Sequence, residues 1–451
     1  MKTQKHQSSV TKLFISHVMT AIIAVMISGI YVITDGMFVG HYLGKDGLAA
    51  VGIAYPVFMV LPGIGLMLGI GGGALISIHR GANNVAASAI TFTTSLTLIV
   101  LLSLISFLFL QLSSDFLLHL QSVDLQILTM GAEYLAVYTY SALLVVASSA
   151  LTLYIRNDNS PNIAMCIMVT GALLNIFFNY LLLGVLSLGI AGAAYASVIS
   201  MTVVCLCCIG YFYSSICSSF IKFERYKFDR ALACSILLTG SSVLAMYLYS
   251  GFVMAVHNKL FSQYGNSSSL SAFSIVGYLM AIYYMLAEGI GNGVQPLISF
   301  FHGQKSSFKK RQLLNVSMLI VALLGVCYYV LLNMYSLFFI NLFNSDIDVV
   351  TKATTGLNYH LTAMFLEGII IIASVYFSAI QRGATALFIA IANMLVQLPL
   401  LYFLPKIWGE FGVWLALPIS NVVMILLIAP LLFKAVMSKD NHSNLQINSY
   451  N

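Results

Sequence analysis

The chain has 451 residues, 60% of them hydrophobic and 8% charged, with a mean hydropathy of +0.95 and a formal net charge of +6. That composition lies far outside the range of soluble domains, so a bilayer is the expected solvent and the basic balance is no argument for nucleic acid. The fold class expected is an all-α integral membrane protein.

About 20 apolar residues cross the hydrocarbon at roughly 1.5 Å per residue. On that scale the sequence predicts twelve spans, at residues 13–39, 48–78, 86–111, 130–155, 161–186, 189–214, 231–257, 269–301, 313–344, 356–381, 384–405 and 409–436. The first closes on YVITDGMFVG, residues 31–40, where Asp35 is the only formal charge between Leu13 and Val39. No cleavable signal peptide is visible, because this run is too long and lacks a small-residue cleavage site.

Short loops rich in Lys and Arg stay on the cytoplasmic side. With both termini inside, inner segments hold sixteen of the twenty Lys and Arg, and outer loops hold only Lys45, Lys259, Lys352 and Lys406. The positive charge is thus a topology signal. The cysteines fall mostly in apolar spans, including Cys205, Cys207 and Cys208 in CLCC, and read as small packed hydrophobes rather than a metal or redox site.

An internal repeat appears without a gap at an offset of 222 residues. GIGGGALISIHRGAN from Gly69 lies over GNGVQPLISFFHGQK from Gly291, with Gly71 on Gly293 and Gly81 on Gly303. Further along, Arg156 falls over Arg382 and GAAYA at Gly192 over GVWLA at Gly412. The chain is read as an N-lobe of helices 1–6 at 1–218 and a C-lobe of helices 7–12 at 219–451, joined by a cytoplasmic linker at about 215–230. Each copy starts after an even number of spans, so an axis along the membrane normal relates them and leaves a cleft between lobes. A channel or receptor can also span twelve times; duplication favours a transporter. The register fails at one informative place, where Asp35 superposes on His257 and Tyr31 on Val253.

An ionised Asp near the bilayer centre costs roughly 2.5–3.5 kcal/mol on insertion scales, so Asp35 should face protein or a watered cavity and be paired or protonated. Tyr31 lies on the same helical face, four residues earlier. Asn175 and Asn179 in the fifth span need interhelical partners and, with Ser197 of the sixth, can build a polar pocket. Interhelical hydrogen bonding alone is the competing reading of all of them. Glu288 and Glu367 are candidates for a second cation site, with His257 available to pair with either carboxylate, whereas Glu133 lies near a span end and can snorkel. Tyr134, Tyr138, Tyr140, Phe178 and Met201 can line a greasy pocket for organic cations, against the plainer alternative of core or lipid-facing packing.

The run GIGLMLGIGGG has no preceding strand and no Walker lysine, so a nucleotide-binding loop is rejected. Its Gly65, Gly69 and Gly73 recur every four residues, the spacing for close helix approach. Without an ATP-binding motif, transport is expected to be passive or driven by an ion gradient.

YVITDGMFVGHYLGKDGLAAVGIAYPV, GIGGGALISIHRGANN, GIGNGVQPLISFFHG, Arg156 and GIAGAAYAS together resemble the multidrug and toxic compound extrusion (MATE) family, closer to its DinF-like branch. The resemblance implies two six-helix lobes in a V, alternating access, and export of amphipathic, mostly cationic compounds from a bacterial cytoplasmic (inner) membrane by a monomer. It implies no cofactor beyond a coupling ion, a proton first and sodium second. Asp35 matches the cation-coupling aspartate, Tyr31 a neighbouring tyrosine and Asn175 the fifth-helix asparagine, while Ser197 stands where the pattern has threonine. Asn179 stands where several DinF-like members have a second aspartate. The first span also lacks the proline proposed to bend in some members, which leaves Gly29 or Gly36 for any bend. NorM-like members place acids in helices 7 and 10, where this chain offers His257 and Glu367. A flippase of the related superfamily, with more spans and a more cationic cavity, and an ion-conducting pore are the other readings.

Overall fold

A computed structural model describes residues 10–119, 125–218, 228–344 and 346–437, and every regular element among them is a helix. In chain order they are α1 (Val10–Phe58), α2 (Val60–Gly81), α3 (Val85–His119), α4 (Leu125–Tyr140), α5 (Ala142–Asn157), α6 (Pro161–Asn179) and α7 (Gly189–Tyr213). After the linker come α8 (Arg230–Tyr264), α9 (Ser267–Gly303), α10 (Ser307–Met334), α11 (Ser336–Asn341), α12 (Ile347–Tyr359), α13 (Met364–Ala379), α14 (Gly383–Trp408) and α15 (Glu410–Met437). The linker charges Lys222, Arg225 and Lys227 lie outside the described residues.

Among the described residues ten helices are long and apolar enough to cross a membrane, or twelve when each of two bent pairs counts as one span. The expected spans at 130–155 and 356–381 are not continuous. α4 meets α5 at 60° and α12 meets α13 at 54°, which re-aims the side chains on either side of each break. The expected ninth span also stops early, with α10 ending at Met334 and α11 standing as a short separate helix. The first span runs from Val10 to Gly44 without interruption at Gly29 or Gly36, and the chain turns at Gly44, whose φ of 68° suits a residue without Cβ.

Two apolar cores form, one mainly from α1–α7 and one mainly from α8–α15. Their edges cross over. Phe14 and Val18 of α1 belong to the second core, and Ala233 and Ile236 of α8 belong to the first. Between the lobes, α1 packs on α9 and α2 packs on α8 and α9.

The glycines explain how the helices get so close. A Cβ on Gly65 would sit 2.6 Å from the Val146 carbonyl oxygen, and one on Gly73 would sit 2.4 Å from the Asn157 amide, so the glycine stripe seats α2 on α5 as its spacing predicts. At the lobe boundary the contact is reciprocal. A Cβ on Gly81 would lie 2.0 Å from Phe300 O, and one on Gly303 would lie 1.9 Å from Ile78 O. Those four positions are the same two positions of the repeat, 222 residues apart. The helix ends are capped as their sequences require: Asp229 accepts from the backbone N–H of Ala231 and Leu232, and Asn266 forms a capping box with Ser269.

Candidate functional site

Asp35 sits in the middle of a long apolar helix, only 8% exposed. Asn179 Nδ2 donates to its Oδ1 at 2.8 Å and also to Asn175 Oδ1 at 3.0 Å, while Asn175 Nδ2 donates to Ser197 Oγ at 2.9 Å. One polar chain therefore ties α1, α6 and α7 together inside the N-lobe. Tyr31 and Tyr138 lie close to both Asp35 and Ser197. Tyr138 stacks on Phe58 at a 4.4 Å centroid distance, and Tyr134 and Tyr138 bring their hydroxyls to 3.4 Å. The helix changes to π geometry immediately after Asn179, over Tyr180–Val185, a distortion often found at working sites.

The electrostatics of this pocket follow from what surrounds the carboxyl. Its hydrogen bond comes from a neutral amide, not from Lys or Arg. A buried carboxylate needs a compensating charge or a proton, and among the described residues no Lys or Arg bonds Asp35. Asn179 Oδ1, also buried, is left without a partner, so the pocket holds a second oxygen ready to accept.

Phe178 and Met201 are on the expected helices but outside this chain. Phe178 packs on Phe177, and Met201 packs against the apolar core. Tyr140, the last residue of α4 before the break, departs from the expected pocket: it is 70% exposed and rests on Phe107. Glu133 is exposed.

The C-lobe has its own buried acid. Glu367 is 6% exposed and its Oε1 accepts from Asn393 Nδ2 at 3.4 Å, with Asn421 alongside. Glu367 Oε2 and Asn421 Oδ1 are both buried without partners. Sequence reasoning missed Asn393, Asn421 and Gln397, the last bonded by Tyr249. A signal existed: at an offset of 218, Asn175 falls over Asn393 and Asn179 over Gln397. His257 corrects an expectation. It bonds the Val253 carbonyl through Nδ1 at 2.9 Å, stacks on Phe273 and meets His360 edge-on, rather than pairing with Glu288 or Glu367. Glu288 lies apart from both clusters, on the face of α9 that meets the other lobe, with Asn292 Nδ2 at 3.4 Å.

Comparison with known proteins agrees with this geometry. A family model described as MatE matches residues 20–181 and again 241–403, once in each lobe. The multidrug export protein MepA of Staphylococcus saprophyticus is 26% identical over 419 residues, covering 92% of each chain, and MepA of Staphylococcus aureus strain MSSA476 gives the same values. A solved structure of a multidrug resistance MATE family transporter in an outward-facing conformation superposes with a TM-score of 0.89 at 20% identity, over 97% of this chain and 99% of that one. A superfamily transporter from Pyrococcus furiosus superposes with a TM-score of 0.88, also at 20% identity, over 97% of this chain and 100% of its own. The two six-helix lobes are thus set in the V of these transporters, whose work is transport and not catalysis. A model that finds the chain twice, over helices that carry one polar pocket per lobe, makes this protein a multi-pass membrane transporter of the MatE family.

Proposed function

We propose that this protein exports amphipathic, mostly cationic compounds by alternating access, in exchange for protons taken up at Asp35. The observation that carries this reading is the buried Asp35 carboxyl held by Asn179 and, among the described residues, by no Lys or Arg. An ionised Asp35 helps hold an outward-bound organic cation, with Tyr134 and Tyr138 offering aromatic faces nearby. A proton arriving from outside neutralises the carboxyl and weakens that hold. The names of the Staphylococcus relatives, multidrug export proteins, support the substrate class.

The bacterial cytoplasmic membrane is the setting of this reading, and the placement of Lys and Arg supports both termini inside. On that orientation the reciprocal contact at Gly81 and Gly303 is cytoplasmic, and the conformation described is closed toward the cytoplasm. The test is exchange of a fluorescent cationic dye in liposomes under an imposed pH gradient, with Asp35→Asn beside the wild type. Dye movement that follows the pH gradient in the wild type and is lost in the variant supports the reading; an Asp35→Asn protein that inserts normally and exchanges at the wild-type rate defeats it.

One observation favours sodium as the coupling ion instead. The partnerless oxygens of Asn179, Glu367 and Asn421 are the hard donors that such a cation takes. Repeating the exchange with a sodium gradient at constant pH separates the two.

A further inference from the structure

Arg156 is a buried cation that the coupling mechanism leaves without a task. It is 2% exposed, its Nε and Nη1 have no partner, and its Nη2 reaches only Met168 Sδ at 3.9 Å. A guanidinium in that position is strongly unfavourable unless a counter-charge is within reach. The carboxylate within its electrostatic reach is Glu288 of the opposite lobe, and Arg156 is in turn the cation acting on Glu288.

The first span touches the neighbourhood of both. On one side His17 bonds Asn159, three residues beyond Arg156, at 3.3 Å. On the other side Gly289 and Gly293, which follow Glu288 on α9, are so close that an added Cβ would lie 2.7 Å from Ile22 Cα and 2.5 Å from Val18 Cα. The separation of Arg156 and Glu288 is thus set by how the lobes sit on α1. The repeat sharpens the point, because each lobe has acquired only its own half of the pair. Arg382, the counterpart of Arg156, is exposed, and the counterpart of Glu288 at an offset of 222 is Leu66.

Glu288 has a second kind of neighbour. Tyr247 of α8 lies within electrostatic reach of it, and Tyr55 of the N-lobe within reach of Tyr247. A carboxylate beside tyrosine rings is the chemistry that holds a lipophilic organic cation. We propose that Glu288 anchors the transported cation in the C-lobe and that Arg156 is its tethered competitor, closing on Glu288 as the cation leaves. This rests on the export reading above.

The test measures binding of tetraphenylphosphonium to the purified full-length protein in lipid nanodiscs. Glu288→Gln is expected to weaken binding about tenfold and Arg156→Gln to tighten it about tenfold, the scale of one nearby charge in partly dry surroundings. Arg156→Lys, which keeps the charge, should bind as the wild type does. In a Glu288→Gln background, Arg156→Gln should change nothing further. An unchanged Kd in Arg156→Gln, or a tightening that persists in the Glu288→Gln background, overturns the proposal. A wild type that binds no tetraphenylphosphonium defeats the export reading and the competitor role with it. The charge pairing is then decided separately by Arg156→Cys with Glu288→Cys, in a chain whose seven native cysteines are replaced. Bridging of that pair in membranes by a short bis-methanethiosulfonate supports the pairing, and its absence refutes it.

Discussion

Asp35 in the N-lobe and Glu367 in the C-lobe are both carboxyls sunk among neutral amides, yet the two lobes finish them differently. Around Asp35 the amides run on from Asn179 through Asn175 to Ser197, each donating to the next. Around Glu367 the chain stops short, leaving Oε2, Asn421 Oδ1 and Gln397 Nε2 unpartnered. The helix scaffold was duplicated faithfully, down to paired glycines at the lobe boundary, while the polar groups it carries diverged. A repeat therefore conserves how helices approach one another more readily than what they hold.

The sharpest way to break this comparison is to neutralise each acid. Asp35→Asn is expected to reduce proton-driven dye exchange to the liposome background, whereas Glu367→Gln should retain clear exchange under a pH gradient; equal losses would put coupling in both lobes. The scaffold is tested next. Gly81→Ala and Gly303→Ala each force a methyl against a backbone carbonyl that cannot step aside, with an expected loss of about 3 kcal/mol. The two losses should match, as read by thermal unfolding in detergent, and a large inequality would deny the boundary its pseudo-twofold character.

Asn175→Leu keeps the branched shape but strands Ser197 Oγ and one Asn179 hydrogen bond, for about 2 kcal/mol. Because the chain also positions Asp35, transport should fall by more than the stability loss explains. The smallest effect concerns the end of the C-lobe where α8 turns into α9. There Lys352 Nζ reaches Glu410 Oε2 at 3.1 Å, Asn266 Oδ1 at 3.0 Å and Ser269 Oγ at 2.7 Å. The pair is partly exposed, so Lys352→Ala should lower stability by about 1 kcal/mol or less and less still at high salt. The N-lobe makes the corresponding turn with Gly44.

Much of this was legible in the sequence, and the reasons differ by scale. Hydropathy yields the spans because each must satisfy its own backbone in lipid, and the offset repeat yields the pairing of lobes. Asp35, Asn175, Asn179 and Ser197 stand out because polar side chains are expensive in apolar helices, so few are there by accident. The breaks after Tyr140 and Tyr359 left no such mark: neither has a proline, and a bend set by packing has no periodicity of its own. The partnership of Asp35 with Asn179 spans 144 residues, a distance over which spacing rules are silent. His257 misled because an ionisable residue invites an acid as partner, while the fold supplied a carbonyl and a box of rings.

The crossed core edges carry one more consequence. Phe14 and Val18 complete the far lobe, and Ala233 and Ile236 complete the near one. Cut in two between the repeats, neither fragment would keep its interior whole: each would need the other's leading turns to be made alongside it. The halves are joined by the linker in sequence and by a handclasp in space, and any motion of one against the other has to keep that grip.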